Sequence, residues 1–218
     1  MNLLTAFLDL LYPPKCVFCG AFLPARDPGY CETCEKNLPF TKNGGNQSGN
    51  FFTVCLSPLY YEEDVRTAML GYKFHKNASA CVPFGHLLAR HLESYLEDEI
   101  DMITWVPLSK RRLNQRGYDQ AKLLAQETAV HLGLPCMPLL KKTVHTAQQS
   151  MTGSMEKRRA NISGAYTVPD PSLVKGKNIL LIDDVVTTGA TFSECARMLG
   201  MSGAERVCCA AVARKRDE

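Results

Sequence analysis

Residues 178–191 read NILLIDDVVTTGAT. An apolar run leads into two adjacent aspartates, then two valines, two threonines and a glycine. The run NILLI (178–182) predicts a buried strand, and TFSECARMLG (191–200) has the apolar spacing of a helix. The stretch is therefore strand, loop and helix, with Asp183 and Asp184 delivered to the loop by the strand. In an open parallel sheet, ligands bind beyond the carboxyl ends of the strands.

The chemistry of the loop narrows the ligand. The first amides of a helix lack partners inside it and favour an anion. Thr187, Thr188 and Thr191 add hydroxyl donors, and Gly189 allows a tight turn around a small anion. Two carboxylates beside a phosphate cradle would repel the phosphate, so they serve another part of the same ligand. Vicinal hydroxyls can each donate to a carboxylate. A sugar with adjacent hydroxyls and a nearby phosphate is a ribose 5-phosphate. The plain alternative is a strand that ends in a solvated turn. No G-x-x-x-x-G-K-[ST] segment is present, which removes the P-loop reading. Only 34 residues follow Asp184, too few for a receiver domain built on an early aspartate pair.

Working outward, strands and helices alternate. DMITWVPL (101–108), CMPLL (136–140), AYTV (165–168) and RVCCAAVA (206–213) read as strands. EEDVRTAMLGYKF (62–74), VPFGHLLARHLESYLE (82–97) and DQAKLLAQETAVHLG (119–133) read as helices, and FFTVCLSPLYY (51–61) as a strand pair broken at Ser57-Pro58. This order predicts an α/β fold: a parallel sheet flanked by helices, with a small cysteine module in front. The expected division is 1–42 for an N-terminal helix and the cysteine module, and 51–218 for the α/β domain. NGGNQSGN (43–50) reads as a turn or linker between them. The polar stretch 141–163 is too long for an ordinary connection and reads as a functional or mobile loop.

The 218 residues are 45% hydrophobic and 22% charged, the composition of a globular protein. No apolar run is long enough to span a membrane. The start, MNLLTAFLDLLYPP, carries Asp9 and lacks a basic leader, so it reads as a short amphipathic helix rather than an export signal, and the expected compartment is the cytoplasm. The net charge of +3 is uneven: residues 110–177 hold 12 basic and 4 acidic side chains. That block draws in polyanions, either nucleotide phosphates or nucleic acid, or stands as a solvated face.

Cys16, Cys19, Cys31 and Cys34 form two C-x2-C knuckles separated by eleven residues. Four thiolates complete a tetrahedron with no open position, so the expected cofactor is structural Zn2+. Disulfides and an iron–sulfur centre are the alternatives. The other six cysteines lie in apolar contexts and read as reduced core residues.

LLIDDVVTTGAT resembles the phosphoribosyl pyrophosphate (PRPP) motif of type I phosphoribosyltransferases. VPLSKRRLNQRGYDQAKLLA (106–125), KKTVHTAQQ (141–149) and KRRANISGAY (157–166) resemble the ComF branch, bacterial phosphoribosyltransferase-like proteins linked to DNA uptake in competence. The resemblance covers nearly the whole chain. It implies that Asp183 and Asp184 are the catalytic acids and hold the ribose hydroxyls, while Val186, Thr187, Thr188, Gly189, Ala190 and Thr191 hold the 5-phosphate. It places Lys110, Arg111, Arg112, Arg116 and Gly117 in a pyrophosphate loop. Asp119 stands where the family usually has asparagine, and reads as a helix cap. Residues 141–163 resemble the loop that closes over PRPP, with Lys142, Gln149, Arg158 and Asn161 at matching positions. Lys73 either reaches the pyrophosphate or is a surface lysine. No general base stands out, and His145 is the histidine to test. Mg2+ is expected with PRPP. Single-stranded DNA and a competence helicase are the expected partners if the protein acts in DNA uptake; transfer of ribose 5-phosphate to a nitrogen acceptor is the expected reaction if it is an enzyme.

Overall fold

The structure is a computed structural model that describes residues 13–24, 29–74, 77–143 and 164–216. Its centre is a parallel sheet. Strand β1 spans Cys55–Leu56, β2 Leu59–Tyr60, β3 Met102–Trp105, β6 Asn178–Val186 and β7 Arg206–Arg214. The order across the sheet is β1, β7, β6, β3, with β2 also on β7. Both β1 and β2 run parallel to β7, and both pairings have the same offset: Cys55 faces Cys209 and Leu59 faces Ala213. They are one edge strand interrupted at Ser57-Pro58, where proline lacks the N–H a ladder needs.

Helices cover both faces. Helix α1 spans Glu32–Asn37, α2 Glu63–Phe74, α3 Cys81–Tyr95, α4 Lys110–Arg116, α5 Gln120–Leu132 and α6 Ala190–Met201. The alternation of a strand assigns the faces. Leu180 and Ile182 pack with residues of α2, α3 and α5, whereas Ile179 and Leu181 pack with Phe192, Cys195 and Leu199 of α6. A strand buried on both sides reads as a continuous apolar run, as β6 does at 179–182. Strand β7 does the same with small residues, and its Cys208–Ala213 run is fully buried.

Several elements differ from the sequence reading. Strand β6 does not stop at Ile182 but continues through both aspartates to Val186, because β7 offers partners as far as Arg214. Residues 136–140 form no strand; Cys136 makes one isolated parallel bridge to Ile103. Tyr166–Thr167 (β5) is not in the parallel sheet, pairing antiparallel with Lys141–Lys142 (β4) in a separate ribbon. The basic stretch after Ser109 is a helix, α4, capped by the Ser109 hydroxyl and ended by Gly117 at φ +83°. Of the two readings of 43–50, turn or linker, residues 43–45 take the turn. Gly44 and Gly45 are buried with positive φ, and a Cβ on Gly45 would stand 2.2 Å from the Ser57 carbonyl oxygen.

The N-terminal cysteine region docks on α3. Phe18 sets its ring edge-on to Tyr30 at 6.3 Å and to Phe84 at 6.0 Å. The predicted helix at 1–12 lies outside the described residues. Among the described residues, no helix is long and apolar enough to cross a membrane.

Candidate functional site

The carboxyl end of β6 opens into a hollow of about 140 Å³, lined by Asp183, Val185 to Thr191 and Phe192. Gly189 takes φ +70° and starts α6, so the chain reverses directly into the helix without a side-chain cap. The uncapped amides at this helix start suit an anion. Within the loop, the Ala190 amide makes a long contact with the Thr188 hydroxyl at 3.5 Å. Thus Asp183, Val186, Thr187, Thr188, Gly189, Ala190 and Thr191 line one hollow.

Asp184 is not among them. Because β6 continues as a strand, consecutive side chains leave it in opposite directions. Asp183 shares the parity of Ile179 and Leu181 and lines the hollow. Asp184 shares that of Leu180 and Ile182, and its Oδ1 meets the Lys73 ammonium at 2.8 Å. Lys73 is therefore a partly buried partner of Asp184 and not a solvated surface lysine. Burial, then repulsion from Asp184, pushes the Asp183 carboxyl up to about 8, although the Asp184 amide donates to its Oδ1 at 2.8 Å.

The end of α2 is gripped by the segment 116–120. The Tyr118 hydroxyl donates to the Tyr72 carbonyl, and the Tyr72 hydroxyl donates to the Gln120 carbonyl at 2.7 Å. Arg116 lays its guanidinium over the Phe74 ring at 5.1 Å and donates to Gln120 Oε1 at 2.7 Å. These contacts hold Tyr72 and Phe74, the residues on either side of Lys73. Asp119 is the cap of α5, accepting from the Lys122 amide and also from the Leu108 amide, each at 3.2 Å.

Lys110, Arg111 and Arg112 project from α4, which buries no residue. Among the described residues, none of these three nor Arg116 pairs with an acid. Lys142 lies toward Asp183: its ammonium donates to the Tyr166 hydroxyl at 3.0 Å, and burial followed by Arg112 lowers its pKa. Gln149, Arg158, Asn161 and His145 lie outside the described residues. Sequence reasoning missed Gln47, whose Nε2 donates to the Thr187 carbonyl at 3.0 Å across 140 residues of chain. No local pattern announces such a contact.

The sulfurs of Cys16, Cys19, Cys31 and Cys34 all lie within 4.8 Å of one another. Cys19 Sγ and Cys31 Sγ are 3.7 Å apart. Zinc–sulfur bonds of about 2.3 Å in a tetrahedron require sulfur separations of about 3.8 Å. The Cys31 amide donates to Cys16 Sγ and the Cys34 amide to Cys31 Sγ, each at 3.4 Å, which favours thiolates. The donor set fits structural zinc.

The model of the phosphoribosyl transferase domain matches residues 78–218, and that of the double zinc ribbon domain matches residues 7–52. The chain belongs to the phosphoribosyl transferase domain family. Within it, the ComF resemblance holds over most of the chain. Competence protein F of Haemophilus influenzae is 27% identical over 224 residues, 88% of this chain and 93% of that protein. Competence protein ComFC of Streptococcus pneumoniae is 30% identical over 151 residues, 67% of this chain and 62% of that protein. DNA utilization protein YhgH of Escherichia coli O157:H7 is 37% identical over 110 residues, 49% of this chain and 46% of that protein.

Proposed function

We propose that this phosphoribosyl transferase family member binds PRPP at the end of β6 and serves DNA uptake or utilisation. The observation that carries the proposal is the hollow that joins Asp183 to the uncapped start of α6. The amides and hydroxyls of residues 187–191 take the 5-phosphate. Asp183 and Asp184 take the ribose hydroxyls from either side of the strand end. Lys73, Arg111, Arg112 and Arg116 neutralise the pyrophosphate, arginine through its planar fork. Mg2+ arrives with PRPP, and carboxylate oxygens suit so hard a cation. Residues 1–42 serve as the zinc module and 51–218 as the PRPP-binding domain. The role in DNA is taken from what the relatives are named for.

The test is thermal protection of the zinc-loaded protein by PRPP, ribose 5-phosphate and pyrophosphate, each with and without Mg2+. A ligand that binds the native state alone raises the melting temperature with its concentration. Protection by PRPP supports the proposal; no protection at millimolar PRPP contradicts it.

A second reading is favoured by the acid-free row of Lys110, Arg111, Arg112 and Arg116 beside Phe74, a ring 60% exposed. Phosphates on the basic row and a base stacked on Phe74 would suit single-stranded DNA. Transfer to a nitrogen acceptor remains the corresponding enzymatic reading, with the acceptor unassigned.

A further inference from the structure

The segment that joins the cysteine region to the sheet reaches the phosphate loop. Gln47 sits on it, and its backbone amide donates to the Cys55 carbonyl at 2.9 Å. Asn46 is fixed next to it, its Oδ1 accepting from the Cys55 amide at 3.2 Å. The preceding turn is held from below by Arg214, whose Nη1 donates to the Gly45 and Asn46 carbonyls at 3.4 and 3.1 Å. Gln47 is thus mounted on the sheet edge. Its side chain then crosses to the loop and donates to the Thr187 carbonyl at 3.0 Å.

The consequence follows from peptide geometry. A trans peptide holds its carbonyl and the next N–H in opposite directions, and the described chain has no cis bonds. With the Thr187 carbonyl tied toward Gln47, the Thr188 N–H points the other way. The loop binds an anion only if such amides face it, and no side chain caps this helix start. The contact also comes at a cost. Gln47 Oε1 is buried with no hydrogen-bond partner, and buried polar atoms are seldom left so. Close approach is part of the arrangement: a Cβ on Gly189 would lie 3.7 Å from Gln47 Nε2 and 3.9 Å from the Phe52 ring.

We propose that Gln47 is a positioning residue for the 5-phosphate loop: by holding the Thr187 carbonyl it turns the Thr188 amide toward the ligand. The inference rests on the PRPP reading and deepens it. It also joins the segment matched to the double zinc ribbon with the phosphate-binding end of β6.

The test compares Gln47→Leu and Gln47→Glu with wild type, by calorimetry with ribose 5-phosphate and, separately, with pyrophosphate. Leucine keeps the bulk, removes the donor and removes the orphaned acceptor, so its melting temperature should not fall. One hydrogen bond predicts about a five- to tenfold loss of ribose 5-phosphate affinity. Glutamate presents an acceptor to a carbonyl and a charge to the phosphate, so its loss should be larger. Pyrophosphate affinity should stay within twofold in both, because that ligand group sits at Lys73 and α4. A merely structural role would lower the melting temperature or weaken both ligands alike, and would overturn the inference. So would unchanged ribose 5-phosphate affinity in both variants. A wild type that binds none of PRPP, ribose 5-phosphate or pyrophosphate would remove the PRPP reading itself, and the role of Gln47 with it.

Discussion

Lys73, at the end of α2, and Asp184, on β6, form an ion pair of 2.8 Å whose side chains retain 17% and 11% exposure. Helix and strand come from opposite ends of the domain, and the pair joins them close to Asp183. Removing the lysine leaves a largely buried carboxylate unpaired next to Asp183. Breaking such a pair on one side destabilises by roughly 2–4 kcal/mol. We therefore expect Lys73→Met to lower the melting temperature by roughly 5–10 °C. Lys73→Met/Asp184→Asn should recover most of that loss in a double-mutant cycle. An additive cycle would show that the pair carries no coupling.

The Asp183 carboxyl, raised to about 8 by burial and by Asp184, gives a pH dependence. Its unfolded value lies near 4. Between these values the folded protein holds a proton that the unfolded chain has released, so stability falls as pH rises from about 4 to 8. Asp183→Asn removes the titration. The variant should match wild type at pH 5 and melt a few degrees higher at pH 8.5. PRPP affinity of the wild type should rise as pH passes through about 8, where the folded Asp183 ionises and becomes the better acceptor. Parallel melting curves for the two proteins across pH would contradict this.

Zinc should be held one to a chain. Chelation, or Cys31→Ser, should release it and loosen the packing of Phe18 on Phe84. Metal analysis checks the stoichiometry. Thermal unfolding should then show a loss of stability, since a structural zinc site contributes its binding energy to folding. A chelated protein with unchanged melting would show that the four cysteines hold no structural metal.

The basic row predicts salt-dependent binding of single-stranded DNA. Arg111→Gln/Arg112→Gln should weaken an oligonucleotide measured by fluorescence anisotropy and reduce the salt slope by about 1–2. Phe74→Leu should weaken binding with the slope unchanged, because stacking releases no counterions. Binding unaltered in both variants would place any DNA contact elsewhere.

Much of this was legible in the sequence because it is local. The strand–loop–helix at 178–201 announces itself by apolar periodicity, glycine and paired acids, and the cysteine knuckles by their spacing. What was hidden depends on partners far along the chain. The end of β6 is set by β7, so the split of Asp183 from Asp184 could not be read from Ile182 onward. Helix α4 buries nothing, so it has no amphipathic signal. Lys73 looks like any helix-end lysine until Tyr118 and Arg116 fix the residues on either side of it. Gln47 lies in a glycine-rich stretch that reads as a linker, and only the folded sheet edge brings it to Thr187.

The central claim is that the end of β6 is a working PRPP site. Calorimetric titration of PRPP with Mg2+ into wild type and into Asp183→Asn/Asp184→Asn tests it most directly. Saturable binding by the wild type, lost in a variant that remains folded and zinc-loaded, is the predicted result. Equal binding by both proteins, or none by a folded wild type, would contradict it.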